Sequence, residues 1–297
     1  MSIRIFPYTS KFQRPNTNPG GKEALAKQLF DAIQNIGFFY IVNFGLSQED
    51  VDRQFAIGKS VFELPTDEKL KYRADLENGG YNGYKPFGLR EIRPGVFDNT
   101  EIFNIPKFIP AYERPQPEVI NENRAGIEHF ARHIHNNIVQ KLLTLFAIVL
   151  ELPEDHFAAR HRYDEALSDC NLSQLSRVKP YDGSITVNVA DALEFLSNGF
   201  LKSSIHRVVA PPPDQAGIDR LGVLYFVRPE DSLELRPVQS KVLKRLGYNE
   251  NENAALTGLT AGEWVKARVR AGVNRNQARS EVSEQEIVRG VKAKYYD

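Results

Sequence analysis

Six histidines and one cysteine carry most of the metal-binding and nucleophilic potential of this 297-residue sequence. His206 lies in the strand-like run Ser204–Val209, directly before Arg207 and Val208, and Pro211 to Pro213 end the run. A neutral imidazole is a good metal ligand. Arg220 opens a second run, RLGVLYFVR, Arg220–Arg228. Its planar guanidinium can hold a carboxylate through two parallel hydrogen bonds. The two runs together offer a donor for a metal and a fork for an anion. The bland alternatives are a packed strand histidine and a structural ion pair. His129 and His133 stand four apart and share a helical face, a spacing compatible with metal binding. Glu128 precedes His129, however, and Phe-Ala-Arg separates the pair, so the pattern is not H-E-x-x-H and a solvated helix face accounts for it. Cys170 is the one cysteine and sits in a polar, loop-like stretch without a histidine to activate it, so it reads as neither nucleophile nor disulfide partner. A reducing, cytoplasmic location is the expectation.

Bulk properties narrow the classes further. Lys+Arg and Asp+Glu both number 38, so the net charge is zero and no nucleic acid or membrane partner is expected. The longest apolar run, Leu142–Leu150, is too short to span a bilayer and reads as a buried helix. The first residues show no sustained apolar segment of the kind a secretory signal needs.

The elements that must hold these groups can be read in order. Ile3–Phe6 carries a strand signal. Leu25, Leu29, Ala32, Ile33 and Ile36 recur at helical spacing over Gly21–Ile36, and Gly37 stops that helix. Phe38–Phe44 is aromatic and β-branched, hence a strand. Ser47 with Asp50 is a capping box opening a helix whose apolar face is Val51, Phe55 and Phe62. Asn78-Gly79-Gly80 marks a turn, Tyr81–Gly88 a loop or edge strand, and Glu101–Phe108 another strand. Pro115–Asn123 reads as a linker. A long helix follows, with Ile127, Phe130, Ile134, Ile138, Leu142, Leu145, Phe146 and Val149 in a 3.6-residue pattern. Farther on, Leu175–Val178, Ile185–Val189 with a continuation to Leu196, Ser204–Val209 and Leu221–Val227 read as strands, with a tight turn at Asn198-Gly199. Trp264–Arg270 and Val282–Val291 read as amphipathic helices. The basic residues Lys266, Arg268, Arg270, Arg275 and Arg279 read as a solvated face.

The stretch SITVNVADALEFLSNGFLKSSIHRVVAPPPDQ with RLGVLYFVR resembles the C-terminal half of the double-stranded β-helix of 2-oxoglutarate- and iron-dependent dioxygenases, in the branch that includes isopenicillin N synthase. QNIGFFYIVNFGLSQEDVD, FELPTDEKLKY, GGYNGYKPFG and TEIFNIPK follow that family's N-terminal region in order, so the resemblance reaches to about Pro229. It implies an α+β chain: a mainly β core of jelly-roll type with flanking helices and an N-terminal α/β region. The divisions expected are 1–115, an N-terminal oxygenase-like region; 116–165, the long-helix region; 166–229, a partial double-stranded β-helix; and 230–297, a helical extension. It also implies Fe(II) and 2-oxoglutarate as cofactors and a small-molecule substrate, oxidised in secondary metabolism. His206 corresponds to the third iron ligand of the family, which is a histidine followed by Arg-Val. Arg220 corresponds to the arginine that holds 2-oxoglutarate, with Gly222 where the family usually has serine. Asn188, Asp191, Ser197 and Lys202 match its turn-and-strand signature, and Tyr81, Asn82 and Tyr84 are candidates for a pocket mouth or for core packing.

One part of the family pattern has no counterpart. Its first two iron ligands come as His-x-Asp/Glu, and none of the six histidines is followed two residues later by Asp or Glu. The nearest approach is His161-Arg162-Tyr163-Asp164, one residue too long. Between Asp164 and Arg177 the sequence passes straight from the long-helix region to the barrel's second half, so a block of early strands is missing. A jelly roll needs eight strands of about five or six residues each. Removing some exposes edges that a closed barrel buries. An alternative expectation therefore stands beside the oxidoreductase: a catalytically impaired pseudo-enzyme or truncated product that only binds a ligand or partner.

Overall fold

The structure, a computed structural model, describes residues 4–7, 21–33, 37–89, 91–93, 95–164, 183–203, 214, 217, 219–248, 257–273 and 282–296. Its central sheet has three antiparallel strands, Arg4–Pro7, Phe38–Val42 and Ser184–Asn188, in the order β1-β2-β7. The middle strand, β2, pairs Phe38 with Asn188 and Val42 with Ser184 on one side, and Val42 with Arg4 on the other. Phe38 to Ile41 are all buried, which is why this strand reads as an unbroken apolar run rather than an alternation. Gly37 enters it with φ +70, where any side chain would collide with the Lys202 carbonyl. The strand thus starts where the segment around Lys202 crosses it.

Helix α1, Gly21–Ile33, packs its Ala26, Leu29, Ala32 and Ile33 against this sheet and against the end of the long helix. Helix α2, Gln48–Glu63, opens on the expected capping box: Ser47 Oγ accepts from the Asp50 amide at 3.0 Å and Asp50 accepts from the Ser47 amide at 3.1 Å. A short helix α3, Thr66–Leu70, follows, and then β3, Gly83–Lys85. The two-stranded hairpin β4 and β5, Glu91–Arg93 and Val96–Phe97, comes next, and β6, Ile102–Asn104, pairs back onto β3.

The stretch 115–123, expected to be a linker, contains helix α4, Glu118–Glu122. Pro117 presets the backbone before its first turn and Ile120 is fully buried in a second core with Ile57, Tyr84, Phe103 and Ile127. Tertiary packing of Ile120 and Val119 against this core holds so short a helix, and a five-residue element is too short to show periodicity.

The long helix is three consecutive pieces: α5, Arg124–His133, a π-turn over Ile134–Val139, and α6, Gln140–Val149. Ile134, Ile138, Leu142, Leu145 and Phe146 all lie in the main core, as the 3.6-residue pattern requires. The region expected to supply four strands gives one among the described residues, β7. The run to Leu196 turns instead into helix α7, Asp191–Leu196. Asp191 and Glu194 stand in its first turn, where the helix dipole favours them. Asn198 and Gly199, at φ 50 and 82, make the turn after it. Leu221–Val227 belongs to no strand or helix. A strand exists only when its backbone finds a ladder, and apolar composition cannot supply one. Leu175–Val178 and Ser204–Val209 lie outside the described residues.

Beyond these come α8, Lys241–Arg245, and α9, Ala261–Val273, the second enclosing the expected Trp264–Arg270 helix. Val282–Val291, expected to be a helix, is a hairpin instead: β8, Val282–Val288, pairs with β9, Val291–Tyr296. Arg289 and Gly290, at φ 52 and 80, form the two-residue loop of positive φ that such hairpins prefer. Glu286 stands opposite Lys292, a cross-strand pairing of opposite charge that helical spacing cannot reveal. No helix among the described residues is long and apolar enough to cross a membrane.

Candidate functional site

Arg220 is exposed at the start of the run Arg220–Arg228, which belongs to no helix or strand, while His206 and Cys170 lie outside the described residues. The run forms no ladder, so side-chain contacts hold it. Leu221 lies against Gly58 of α2, where an added Cβ would meet it at 3.4 Å. Tyr225 reaches the π-turn, its hydroxyl 3.0 Å from His135 Nδ1. Arg228 places its guanidinium 3.8 Å from the centre of the Tyr81 ring. Just past the run, Glu230 is paired with Arg160, both through its carboxylate and through its amide, which donates to the Arg160 carbonyl at 3.2 Å.

The π-turn builds a dense polar cluster around His135. Its Nε2 lies 2.7 Å from the His161 carbonyl, and Gln140 Nε2 donates to the same oxygen at 2.6 Å. A carbonyl only accepts, so His135 Nε2 carries the proton. Nδ1 of the neutral ring is then the acceptor, and the Tyr225 hydroxyl donates to it. His161 donates through Nδ1 to the Phe157 carbonyl at 2.7 Å. Burial pushes both imidazoles below their ordinary range, His161 to about 4, so both are neutral at neutral pH. Tyr163 stands edge-on to His135 at 5.5 Å. It is flanked by the buried Lys107 ammonium at 5.6 Å and by the Arg132 guanidinium at 4.3 Å, and Arg132 pairs with Asp164 at 2.8 Å. A cleft of about 440 Å³, lined by Asn136, Gln140, Arg162, Tyr163 and Asp164 among others, opens beside this cluster.

His133, one of the i,i+4 pair, serves structure: its Nε2 donates to the Phe44 carbonyl at 2.9 Å and ties the long helix to the end of β2. Among the described residues no group of three or more His, Cys, Asp and Glu stands close enough to share a metal ion. Of the pocket-mouth candidates, Tyr84 is a core residue whose hydroxyl donates to Glu101 at 2.7 Å. The same carboxylate takes a hydrogen bond from the buried Lys69 ammonium at 2.9 Å. Tyr81 and Asn82 are half-buried. Arg114 holds the Asn82 carbonyl and Asn104 holds the Tyr81 carbonyl.

The turn signature also does structural work. Asp191 accepts from Ser203 at 3.1 Å and from the Trp264 indole at 3.2 Å, with Arg268 at 3.5 Å, and so binds α7 to α9. Ser197 is fully buried; its hydroxyl donates to the Leu193 carbonyl and accepts from the Leu201 amide. Asn188 pairs with Phe38 in the sheet, and Lys202 is exposed to solvent. Of the basic cluster, Lys266 and Arg270 are exposed, as a solvated face requires, while Arg268 is half-buried, and Arg275 and Arg279 lie outside the described residues.

Sequence reasoning did not single out His135 and Tyr225. The signal was present: His135 stands three and seven residues before Ile138 and Leu142, on the buried side of the helix. A buried histidine must spend its ring nitrogens on partners.

Residues 9–125 match the family described as non-haem dioxygenase in morphine synthesis, N-terminal, and residues 160–229 match the 2OG-Fe(II) oxygenase superfamily. A 2-oxoglutarate-dependent dioxygenase of Glarea lozoyensis is 24% identical over 278 residues, covering 78% of this chain and 83% of that one. Those 278 positions exceed 78% of 297 residues, so within the aligned region that relative carries residues this chain lacks. A 2OG-Fe(II) oxygenase family protein from Caulobacter crescentus superposes with a TM-score of 0.68 at 21% identity, over 84% of this chain and 94% of that one. A full-length Neurospora crassa protein in complex with alpha-KG and thymine superposes with a TM-score of 0.64 at 16% identity, over 84% and 91%. At such identities the likeness shows the fold.

Proposed function

Because the chain belongs to the family of 2-oxoglutarate- and Fe(II)-dependent oxygenases, whose fold is the double-stranded β-helix, we propose that it is an oxidoreductase that oxidises a small organic molecule of secondary metabolism, with 2-oxoglutarate as co-substrate. The observation that carries this is the superfamily match over residues 160–229, which encloses both His206-Arg207-Val208 and Arg220. The Neurospora protein, with its bound alpha-KG and thymine, supports a small molecule as the class of substrate.

The residues present fit the two cofactors unequally. Arg220 is an exposed cation on a run held at Leu221, Tyr225 and Arg228, and its fork suits a carboxylate of 2-oxoglutarate. When bound, 2-oxoglutarate supplies the electrons that oxygen takes up alongside those of the substrate. For Fe(II) the set is incomplete. Such sites use two histidines and one carboxylate on one face of the metal. His206 is one matching ligand, the His-x-Asp/Glu pair is absent, and the described residues hold no other cluster to replace it. That absence favours a second reading, a protein that keeps the ligand-binding half and does not turn over.

The test uses the full 297-residue chain with 2-oxoglutarate, oxygen and increasing Fe(II). Consumption of 2-oxoglutarate that requires Fe(II) in large excess is the expected result. Binding of 2-oxoglutarate without consumption at any Fe(II) concentration supports the second reading. Failure to bind 2-oxoglutarate at all overturns both.

A further inference from the structure

The run Arg220–Arg228 has no ladder of its own, yet it carries Arg220, the side chain matched to the co-substrate. Contacts from outside the run therefore help to fix the path of the backbone that carries Arg220. Its centre is met by Tyr225 and His135, and His135 sits where the long helix widens into a π-turn. Such single turns inside an α-helix concentrate at functional positions, because they push a side chain out of the regular i, i+4 spacing.

We propose that His135 is a positioning residue for co-substrate binding: its Nδ1 accepts the Tyr225 hydroxyl and thereby sets the run that presents Arg220 to the 2-oxoglutarate carboxylate. This rests on the reading of Arg220 as the carboxylate anchor. The two ring nitrogens do different jobs. Nε2 binds the His161 carbonyl and belongs to the helix side, sharing that oxygen with Gln140. Nδ1 alone of the two reaches the run. Gln140 already satisfies the His161 carbonyl, so losing Nε2 leaves no buried acceptor stranded there. Losing the acceptor at Nδ1 leaves the Tyr225 hydroxyl without that partner.

This asymmetry separates a positioning role from a merely structural one. In His135→Asn the side-chain oxygen falls near the Nδ1 position and the Nε2 contact is lost. In His135→Gln the amide reaches toward the His161 carbonyl and the acceptor for Tyr225 is lost. Binding of 2-oxoglutarate to each full-length variant is measured by calorimetry without added metal, beside thermal unfolding. His135→Gln and Tyr225→Phe are expected to weaken binding about tenfold, the scale of one hydrogen bond, while His135→Asn stays near the parent. If His135→Asn loses binding and His135→Gln keeps it, Nε2 is the important atom and the proposal is overturned. It is likewise overturned if all three variants bind like the parent while Arg220→Gln does not, an outcome that leaves the anchor reading standing. If the parent binds and Arg220→Gln binds equally, the anchor reading fails, and this inference fails with it.

Discussion

His161 is a deeply buried imidazole, and its ring must stay neutral to keep its place. Its pKa is lowered from 6.5 to about 4, first by burial, and that of His135 is lowered for the same reason. The sign of the linkage follows directly. An unfolded chain takes up these protons near pH 6.5 and the folded chain only at lower pH, so the unfolded state binds more protons across that interval. Stability from His161 is complete above about pH 6.5 and is lost as pH falls toward about 4, and His135 acts in the same direction. Urea midpoints measured from about pH 7.5 to about pH 4 should therefore decline, and His161→Asn should flatten the decline while lowering stability at the upper end. An equal slope in parent and variant would assign the acid sensitivity elsewhere. The same demand for partners gives His133 a structural place, its Nε2 donating to the Phe44 carbonyl, and no group of three or more possible ligands stands together among the described residues.

At the scale of elements, local codes succeeded wherever they close on themselves. The Ser47–Asp50 box is such a code, because both partners lie within one turn. The failures were elements whose partners are distant. Val282–Val288 is a strand because Val291–Tyr296 folds back on it, and Val291 is buried with Trp264 and Leu235 in the third core. The hairpin turns on Arg289 and Gly290, both at positive φ. Gly290→Ala should cost about 1 kcal/mol, the penalty of a side chain in left-handed backbone. Hydrogen exchange should show the loss as faster opening of β8 and β9, with α6 unchanged. Uniform acceleration across the chain would mean that the hairpin does not open independently.

The whole molecule joins a well-packed N-terminal region and long helix to a β region that is short of strands among the described residues. There the core of β2, α1 and α6 is continuous, and helix α9 locks onto α7 through Trp264 and Asp191. No histidine of the sequence is followed two residues later by Asp or Glu, so the family's first two iron ligands have no counterpart to join His206. One imidazole competes poorly with water for Fe(II), since affinity at nitrogen and oxygen sites comes from several preorganised ligands. Titration of the 297-residue chain with Fe(II) under anaerobic conditions should give weak, non-stoichiometric binding. A tight one-to-one complex would contradict the ligand set. Sequencing the transcript across the codons for Asp164 to Arg177 checks the same point independently, and a coding block with His-x-Asp/Glu found there would remove the ground for a non-catalytic reading.

The amino-acid sequence alone determined the family, the order of its N-terminal elements, the buried stripe of the long helix and the lack of a His-x-Asp/Glu motif, because each is written in neighbouring residues or in a fixed local spacing. Tertiary structure decided the rest: that Leu193–Leu196 is helical, that Leu221–Val227 lacks a ladder, that residues 282–296 are a hairpin, and that His135 faces Tyr225 across 90 residues. Those outcomes depend on which backbone groups and ring nitrogens find partners far along the chain, and a partner far along the chain leaves no local mark.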